Sequence, residues 1–422
     1  MQLLTWVLGS VFCFSVIGSN SHAAEVEPNK ATDWPCWRGP TRDGIAYPSQ
    51  KVPTKWSESE NVIWKTPIPG RGHGSPAIVG QKVFLATADE AEEVQSVLCF
   101  DRQTGKQLWK TEIHRGRFVT DGLNKRSTHA SSTPACDGER VYINFPNSSA
   151  IYTTALDLNG KKVWQTKVSD YVLHQGYGSS PMLYGSLVHV AADNKGGGVL
   201  AGLDRISGKI VWQQNRHKLP NYTSPIVLTA SGREQLIMIG CDVVASYDPL
   251  TGSKIWEHPG ATTECVTSTV TDGKVIVTSG GYPRNHVSAM RADGSGKIVW
   301  ETTARVYVPS MLLKDGYLYA VADAGIAMCW DVTSGREMWK NRLAGNFSAS
   351  PILVGDRIYA INEAGEATVY LAVPTEFQVI ETNRLGSEMF ATPSICGDKI
   401  FIRSAAVSNG HREETLFCLG AR

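Results

Sequence analysis

The chain has 422 residues, of which 42% are hydrophobic and 19% are charged, and its formal net charge is +1 at pH 7. Its 40 glycines and 20 prolines indicate many turns, and no low-complexity tract signals disorder. Lys and Arg are scattered along the chain, whereas nucleic-acid binding needs a basic face that neutralises phosphates. The composition predicts a globular protein with no nucleic-acid partner.

The first segment of the chain has the pattern of a secretory signal peptide. Leu3 to Ile17 is apolar but short for a membrane span, and Ser21 and Ala23 are small residues at the −3 and −1 positions of a cleavage site. We predict cleavage after Ala23, no membrane span, and a secreted or periplasmic protein. Cys13 follows Phe12 rather than a small residue, so a lipid anchor on this cysteine is not expected.

Residues 24–60 are predicted to form an extended N-terminal strap. Its sequence DWPCWRGPTRDGIAYPS (Asp33 to Ser49) contains Trp37 and the charged residues Arg38, Arg42 and Asp43. Pro and Gly disfavour regular structure here. We expect the strap to run along the outside of the domain that follows, with an ion pair of Arg38 or Arg42 inside it.

A phrase with Asp, Gly and Trp at fixed offsets recurs along the rest of the chain. In DRQTGKQLW, Gly105 suits a tight turn that needs positive φ, and Asp101 and Thr104 can bond the amides of that turn. Trp109 can pack against a neighbouring unit. The other copies are DLNGKKVW (157–164), DRISGKIVW (204–212), DPLTGSKIW (248–256), DGSGKIVW (293–300) and DVTSGREMW (331–339). A phrase that occurs six times indicates a repeated structural unit rather than a single catalytic loop.

A second phrase alternates with the first: Ser-Pro or Thr-Pro, a short strand, a Gly turn, and a strand of alternating apolar residues. SPAIVGQKVFLATA (Ser75 to Ala88) shows it in full. It occurs eight times, although the copies beginning at Ser268 and Ser310 lack the proline. Each unit therefore predicts four antiparallel strands.

The spacing of the large aromatic residues sets the number of units. Seven Trp positions and Phe377 lie 38 to 55 residues apart, which is typical of propeller blades. The last unit, ending TLFCLGAR, has no Trp strand of its own, whereas Trp64 precedes the first complete unit. We therefore predict an all-β, eight-bladed propeller over residues 61–422, in which the Trp64 strand completes the last blade.

These phrases resemble the repeat of the PQQ-like (pyrrolo-quinoline quinone) β-propeller family, and the strap resembles the entry segment of its secreted bacterial members. The resemblance implies an eight-bladed propeller but leaves activity open. One branch of that family comprises quinone-dependent dehydrogenases, which usually have longer chains, a vicinal cysteine pair, and acidic and amide ligands for Ca²⁺. Another branch resembles outer-membrane assembly factors, which are non-enzymatic scaffolds. This chain has no vicinal cysteines, and its compact blades are closer to the second branch.

Candidate binding residues precede the Ser-Pro phrases, where loops should surround one mouth of the channel. The predicted ligand-binding residues are Arg71, His73, Lys125, Arg126, His129, His174, Tyr177, Tyr222 and Arg305. Glu264, Tyr307, Phe347 and Phe390 occupy similar positions in later units. Such a rim could bind an anion, a sugar or an acidic peptide, although for each residue alone the favoured interpretation is an ordinary solvated or hydrogen-bonded loop residue.

No recognisable reaction centre accompanies these residues. Histidines with metal-ligand spacing, a nucleophile elbow and a phosphate-binding loop are all absent from the sequence, so we predict no metal, no cofactor and no catalytic residue. After the signal, eight of the nine cysteines remain; Cys99, Cys329 and Cys418 fall inside apolar strands and are expected to be buried thiols. The leading hypothesis is a non-catalytic, monomeric propeller that binds a protein partner or a small polar ligand. A quinone-dependent dehydrogenase and a carbohydrate-binding propeller are the alternatives.

Overall fold

The computed structural model describes residues 28–421. Their 32 strands form eight four-stranded antiparallel sheets around a central axis, which confirms the predicted eight-bladed propeller. The predicted signal peptide and its cleavage site lie outside the described residues. Within the described part of the chain, no helix has the length and apolar character needed to cross a membrane.

The strands are named in chain order, and the first strand of each blade is the innermost. Strand β1 is Val62–Ile68. Blade 1 contains β2 (Ala77–Val79), β3 (Lys82–Asp89), β4 (Val94–Asp101) and β5 (Gln107–Arg115), and blade 2 contains β6 (Ala135–Cys136), β7 (Arg140–Asn147), β8 (Ala150–Asp157) and β9 (Lys162–Asp170). Blade 3 contains β10 (Met182–Tyr184), β11 (Leu187–Ala191), β12 (Gly198–Asp204) and β13 (Ile210–Arg216), and blade 4 contains β14 (Ile226–Ala230), β15 (Arg233–Gly240), β16 (Val243–Tyr247) and β17 (Lys254–Pro259). Blade 5 contains β18 (Val270–Thr271), β19 (Val275–Gly280), β20 (His286–Arg291) and β21 (Ile298–Thr302), and blade 6 contains β22 (Leu312–Lys314), β23 (Tyr317–Val321), β24 (Ile326–Asp331) and β25 (Glu337–Arg342). Blade 7 contains β26 (Ile352–Val354), β27 (Arg357–Ile361), β28 (Glu366–Leu371) and β29 (Val379–Arg384), and blade 8 contains β30 (Ser394–Cys396), β31 (Lys399–Ser408), β32 (His411–Leu419) and β1.

The two ends of the ring meet in blade 8. Strand β1 pairs antiparallel with β32, with Trp64 opposite Cys418 and Ile68 opposite Glu414. The N-terminal strand is thus the outermost strand of the last blade, as the sequence predicted. Because one sheet contains both ends of the repeat region, opening the ring requires breaking a strand ladder.

Neighbouring blades meet where an indole ring packs against a glycine. Trp64 Nε1 donates to the carbonyl oxygen of Arg102 in blade 1 over 3.0 Å, and a Cβ at Gly105 would lie 2.4 Å from Trp64 Cε3. Equivalent ring-on-glycine contacts are Trp109–Gly160, Trp164–Gly208, Trp212–Gly252, Trp256–Gly294 and Trp300–Gly335. Each of these glycines has positive φ, so it provides both the turn and the space for the ring.

The hydrogen bond from the indole nitrogen of Trp64 to a backbone carbonyl of the next blade recurs at the other tryptophans, with two exceptions. Trp109, Trp164, Trp300 and Trp339 each donate to a backbone carbonyl of the next blade over 2.7–3.1 Å. Trp256 instead donates to Gln235 Oε1 of its own blade over 2.9 Å. Trp212 Nε1 is buried and has no hydrogen-bond partner among residues 28–421.

The Ser-Pro phrases form a second circular set of contacts near the axis. We call Ser75, Thr133, Ser180, Ser224, Ser268, Ser310, Ser350 and Thr392, one from each blade, the hydroxyl ring. In six of the eight steps a backbone amide of one blade donates to the hydroxyl of the next, each over 2.9 Å. In these six steps, the Ser or Thr before the inner strand therefore links its blade to the preceding one.

The N-terminal strap does not run along the outside of the ring, as we expected from its sequence. Residues 31–46, which we call the axial segment, cross the central channel and contact all eight blades. The contacts, from blade 1 to blade 8, are Trp34 with Ile78, Pro35 with Cys136, Arg42 with Leu183 and Val227, Trp37 with Ser268, Arg38 with Met311, Ala46 with Leu353, and Ala31 with Gly397. Inner strands have free backbone groups on the channel side, and the axial segment satisfies them.

The arginines of the axial segment bond backbone carbonyls instead of forming the expected ion pair. Arg38 is buried and donates to the carbonyl oxygens of Asp43 and Met311. Arg42 Nη2 donates to the Leu183 carbonyl over 3.1 Å. Burial lowers the pKa of Arg38 to about 10.

All eight cysteines in the described residues are free and buried. Burial raises the pKa of Cys99, Cys329 and Cys418 to about 12 in each case. These three thiols behave as small apolar core residues, as predicted for them.

The ring-on-glycine contact can be tested with two glycines that have nearly the same backbone conformation. Gly208 has φ +73° and faces Trp164, whereas Gly232 has φ +77° and has open space around it. Both Gly→Ala variants should lose about 1 kcal/mol through the left-handed backbone conformation. Gly208→Ala should lose a further 1–3 kcal/mol, roughly, because its methyl group overlaps the indole. Urea denaturation measures the free energies of unfolding, and equal losses in the two variants would contradict this role of the contact.

A buried histidine predicts a loss of stability in acid. Burial lowers the pKa of His189 to about 4, and its ring packs against Trp212 where Phe84, Tyr142, Tyr319 and Phe401 occupy the same place in other blades. Because the pKa is lower in the folded state than the value of about 6.5 in the unfolded chain, the stabilisation is fully present above pH 6.5 and lost as the pH falls toward 4.

The test compares the wild type with His189→Phe. The free energy of unfolding of the wild type should fall more than that of the variant between pH 7.5 and pH 4.5, by about 2–3 kcal/mol. Groups that titrate in both proteins cancel in this difference. Parallel pH profiles would show that His189 does not carry the acid sensitivity.

Candidate functional site

A cavity of about 810 Å³ opens at one mouth of the channel. The loops that precede the inner strands form its walls, and Trp37 of the axial segment lies at its floor. Six of the nine predicted ligand-binding residues line it: His73, Arg126, His174, Tyr177, Tyr222 and Arg305. Glu264, Tyr307 and Phe390 line it as well.

The other three predicted residues are not part of the lining. His129 is buried elsewhere, with Nδ1 2.7 Å from Glu90 Oε2 and its ring stacked on Phe118. Arg71 joins the edge of blade 1 through backbone bonds with Ala88. Lys125 is exposed in the loop before blade 2. Phe347, also considered at the rim, is buried in the core between blades 6 and 7.

An acidic residue joins four of the rim loops. Glu264, in the loop before blade 5, accepts from the hydroxyl of Tyr222 over 3.4 Å and from that of Tyr307 over 3.3 Å. His174 Nδ1 lies 2.8 Å from the Tyr222 hydroxyl and 3.7 Å from Glu264 Oε1. We call these four residues the Glu264 cluster; they come from the loops before blades 3, 4, 5 and 6.

Electrostatics keep the two phenols of this cluster protonated. Burial and the negative charge of Glu264 both raise the pKa of Tyr222 and of Tyr307. Each phenol therefore remains a donor to the carboxylate, and both phenols donate to the same oxygen, Oε2 of Glu264. The cluster braces the rim, because residues from separate loops are joined to one carboxylate.

Two cations of the cavity lining, Arg126 and Arg305, are held by contacts with neighbouring loops. Arg126 forms a salt bridge with Glu363, which lies in the loop between β27 and β28. Arg305 lies over the ring of Tyr307, with its guanidinium carbon 5.4 Å from the ring centroid, and donates to the carbonyl of Gly281 over 3.3 Å. Paired charges give the rim polar character without a large excess of either sign.

His73 lies in the most electropositive part of the wall. Its ring stacks on Phe390 at 4.4 Å between centroids. Burial lowers its pKa well below the usual value, and the nearby charges of Arg71 and Arg403 lower it further. His73 is therefore a neutral imidazole, with Nε2 buried and without a partner among the described residues.

Several lining residues were missed by reasoning from the sequence. Asp323 accepts the amide of Tyr307 over 2.8 Å, and burial raises its pKa. It precedes an Ala-Gly turn, as Glu363 does one blade later, so the repeated acid-Ala-Gly phrase was an available signal. Trp37 had no such signal, because its position depends on the path of the axial segment.

The mouth does not match the donor set implied for a quinone with Ca²⁺. Among residues 28–421, no group of three His, Cys, Asp or Glu side chains is placed to hold a metal ion. Glu264 and Asp323 already accept hydrogen bonds from O–H and N–H donors, and the cysteines of the described residues are buried free thiols. The residues present do not fit that cofactor.

Comparison with known proteins gives the family of the chain. A family described as "Outer membrane protein assembly factor BamB" matches residues 52–171 and 93–341. The protein of that name from Moranella endobia is 22% identical over 346 residues, covering 78% of this chain and 82% of the relative. More than half of the chain lies within the family match.

Solved structures show the same fold. BamB from Moraxella catarrhalis superposes with a TM-score of 0.58 at 14% identity, covering 84% of this chain and 96% of the other. A europium-containing methanol dehydrogenase superposes with a TM-score of 0.64 at 11% identity, covering 92% and 98%. The fold is thus shared by proteins with different functions, whereas the family match covers more than half of the chain: this chain belongs to the family of the outer membrane protein assembly factor BamB.

Proposed function

We propose that this protein is a non-catalytic, monomeric propeller of the periplasm that binds a protein partner through the rim of the cavity. The observation that carries the proposal is the Glu264 cluster, which joins four rim loops through side chains. Loops that are fixed before binding lose less conformational entropy when a partner docks. A braced rim of aromatic and charged side chains suits protein recognition.

The exposed residues of the rim support the same proposal. Tyr282 is 55% exposed at the mouth, and the Arg126 side chain is 57% exposed beside it in the cavity lining. Tyr and Arg are enriched among residues that dominate binding energy at protein interfaces. Two relatives of this chain are named outer membrane protein assembly factors, and that name implies contact with other proteins.

A photo-crosslinking experiment tests the partner. A benzophenone amino acid replaces Tyr282 at the rim and, as a matched control, Ile206, which is 68% exposed in a turn of blade 3 outside the cavity. Irradiation of cells that express the full chain should give a discrete crosslinked protein for Tyr282 and none for Ile206. Glu264→Gln, added to the Tyr282 variant, should reduce the crosslink because it loosens the braced loops.

The opposite pattern would count against the proposal. Equal crosslinking at both positions would indicate non-specific contact, and no crosslink at the rim would remove the rim as the binding surface. Circular dichroism of the Glu264→Gln variant shows whether the propeller remains folded, so that a lost crosslink can be assigned to the rim.

The alternative function, a quinone-dependent dehydrogenase, is tested with the purified chain. Incubation with the quinone and Ca²⁺, followed by dye reduction with alcohols and sugars, should give no turnover above the protein-free control, since no three His, Cys, Asp or Glu side chains of residues 28–421 are placed to hold a metal ion. An authentic quinoprotein in the same assay serves as the positive control. Turnover that requires both quinone and protein would overturn the non-catalytic proposal.

A further inference from the structure

The floor of the cavity is an aromatic residue supplied by the axial segment. Trp37 Nε1 donates to Ser268 Oγ of blade 5 over 2.8 Å, which holds the indole at the level of the hydroxyl ring. The residue is only partly buried although it lies in the channel, since part of its ring is exposed to the cavity. The axial segment contacts blades 1, 2, 3, 4 and 7 about three residues beyond the hydroxyl ring, roughly 10 Å deeper, and blade 6 at Met311, one residue beyond it. The axial segment therefore occupies the channel below this ring.

Hydroxyl groups surround this floor. Thr133, Ser180, Ser224, Ser350 and Thr392 line the cavity, and the oxygen of each accepts a backbone amide over 2.9 Å. Among the described residues, none of these five hydroxyls donates a hydrogen bond to another residue. A hydroxyl carries one O–H donor in addition to its lone pairs. Blades 2, 3, 4, 7 and 8 therefore each present an unused donor around Trp37.

We propose that this floor binds one pyranose ring of a neutral saccharide. The ligand must place an apolar face on the indole and oxygen atoms around its edge, because the donors stand on several sides of the axis. A pyranose has that distribution, with C–H groups on its faces and hydroxyl groups around its rim. The cavity volume of about 810 Å³ is within the range of small-ligand sites and leaves room for further sugar units above the first.

Other ligands meet this arrangement less completely. An aromatic amino-acid side chain could stack on Trp37 but has at most one oxygen for the ring of donors. A strongly anionic ligand would meet Glu264 and Asp323, while Arg126 is neutralised by Glu363, so that Lys195 and Arg305 are the lining cations left to offset these two acids. A neutral ligand avoids the cost of desolvating an unpaired charge in the cavity.

The site is independent of the proposed function, since a protein partner would contact the exposed rim and the saccharide would lie beneath it. The two proposals also fail separately. Crosslinking at Tyr282 requires no sugar, and sugar binding is measured with the purified chain alone.

The experiment uses isothermal titration and tryptophan fluorescence with three neutral trisaccharides: maltotriose, cellotriose and triacetylchitotriose. At least one should bind the wild type and change its fluorescence at millimolar or lower concentration. Trp37→Ala should weaken that binding by about tenfold or more, because the apolar face loses its support. Tyr47→Ala is the matched control: Tyr47 is an aromatic residue that follows the axial segment, is 47% exposed and lies outside the cavity lining, so its loss should leave binding unchanged.

A second variant keeps the test valid if Trp37→Ala fails to fold. Thr392→Val preserves shape at the floor but removes one O–H donor together with the acceptor of the Ser350 amide. Once circular dichroism shows that this variant is folded, it should weaken binding by about fivefold. Failure of all three sugars to bind, wild-type affinity in Trp37→Ala, or binding of an aromatic peptide or the quinone instead of sugar would each overturn the proposal.

Discussion

The contact between an indole ring and a bare backbone position determines how the blades of this propeller fit together. A tryptophan on the outer strand of one blade needs a flat surface on the next, and a glycine turn supplies it, since any Cβ at that point would overlap the ring. The requirement for positive φ in the turn and the requirement for space fall on the same residue. One glycine thus serves the local hairpin and the blade interface together. Strand β1 completes blade 8 and contains Trp64, so the same contact between an indole and a glycine also joins blade 8 to blade 1.

A ring built in this way has a weakness at its axis. The inner strand of each blade has a free edge, and eight such edges converge on a channel whose polar backbone groups need partners. The hydroxyl ring supplies some of these partners by linking each blade to the next. The axial segment supplies others from a single stretch of chain, with arginines that reach the carbonyls of blades 3, 4 and 6. The axial segment consequently occupies the channel below the cavity.

The sequence predicted the parts of the structure that depend on periodicity. The repeated phrases predict the number of blades, the four-strand unit and the role of the Trp64 strand. They do so because the phrases recur at similar intervals even where their residues differ. The path of the axial segment could not be predicted, because the partners of Arg38 and Arg42 are backbone carbonyls, which every residue possesses. His129 shows the same limit: its position before a Thr-Pro phrase suggested the rim, but Glu90 from a loop of blade 1 binds its ring elsewhere. Convergence of side chains from different blades depends on loop conformation, which repeat spacing does not encode.

The chemistry of the mouth follows from how completely its charged groups are satisfied. Catalysis by acid and base requires a group that can exchange a proton with a ligand, and such groups have an open position facing the substrate. Here Glu264 accepts from two phenols whose raised pKa values keep them protonated, Asp323 accepts a backbone amide, and Arg126 is paired with Glu363. Unused hydrogen-bonding capacity lies in neutral groups, namely the hydroxyl groups around the floor and Nε2 of His73. Such groups can recognise a ligand by its shape and its hydrogen-bond pattern.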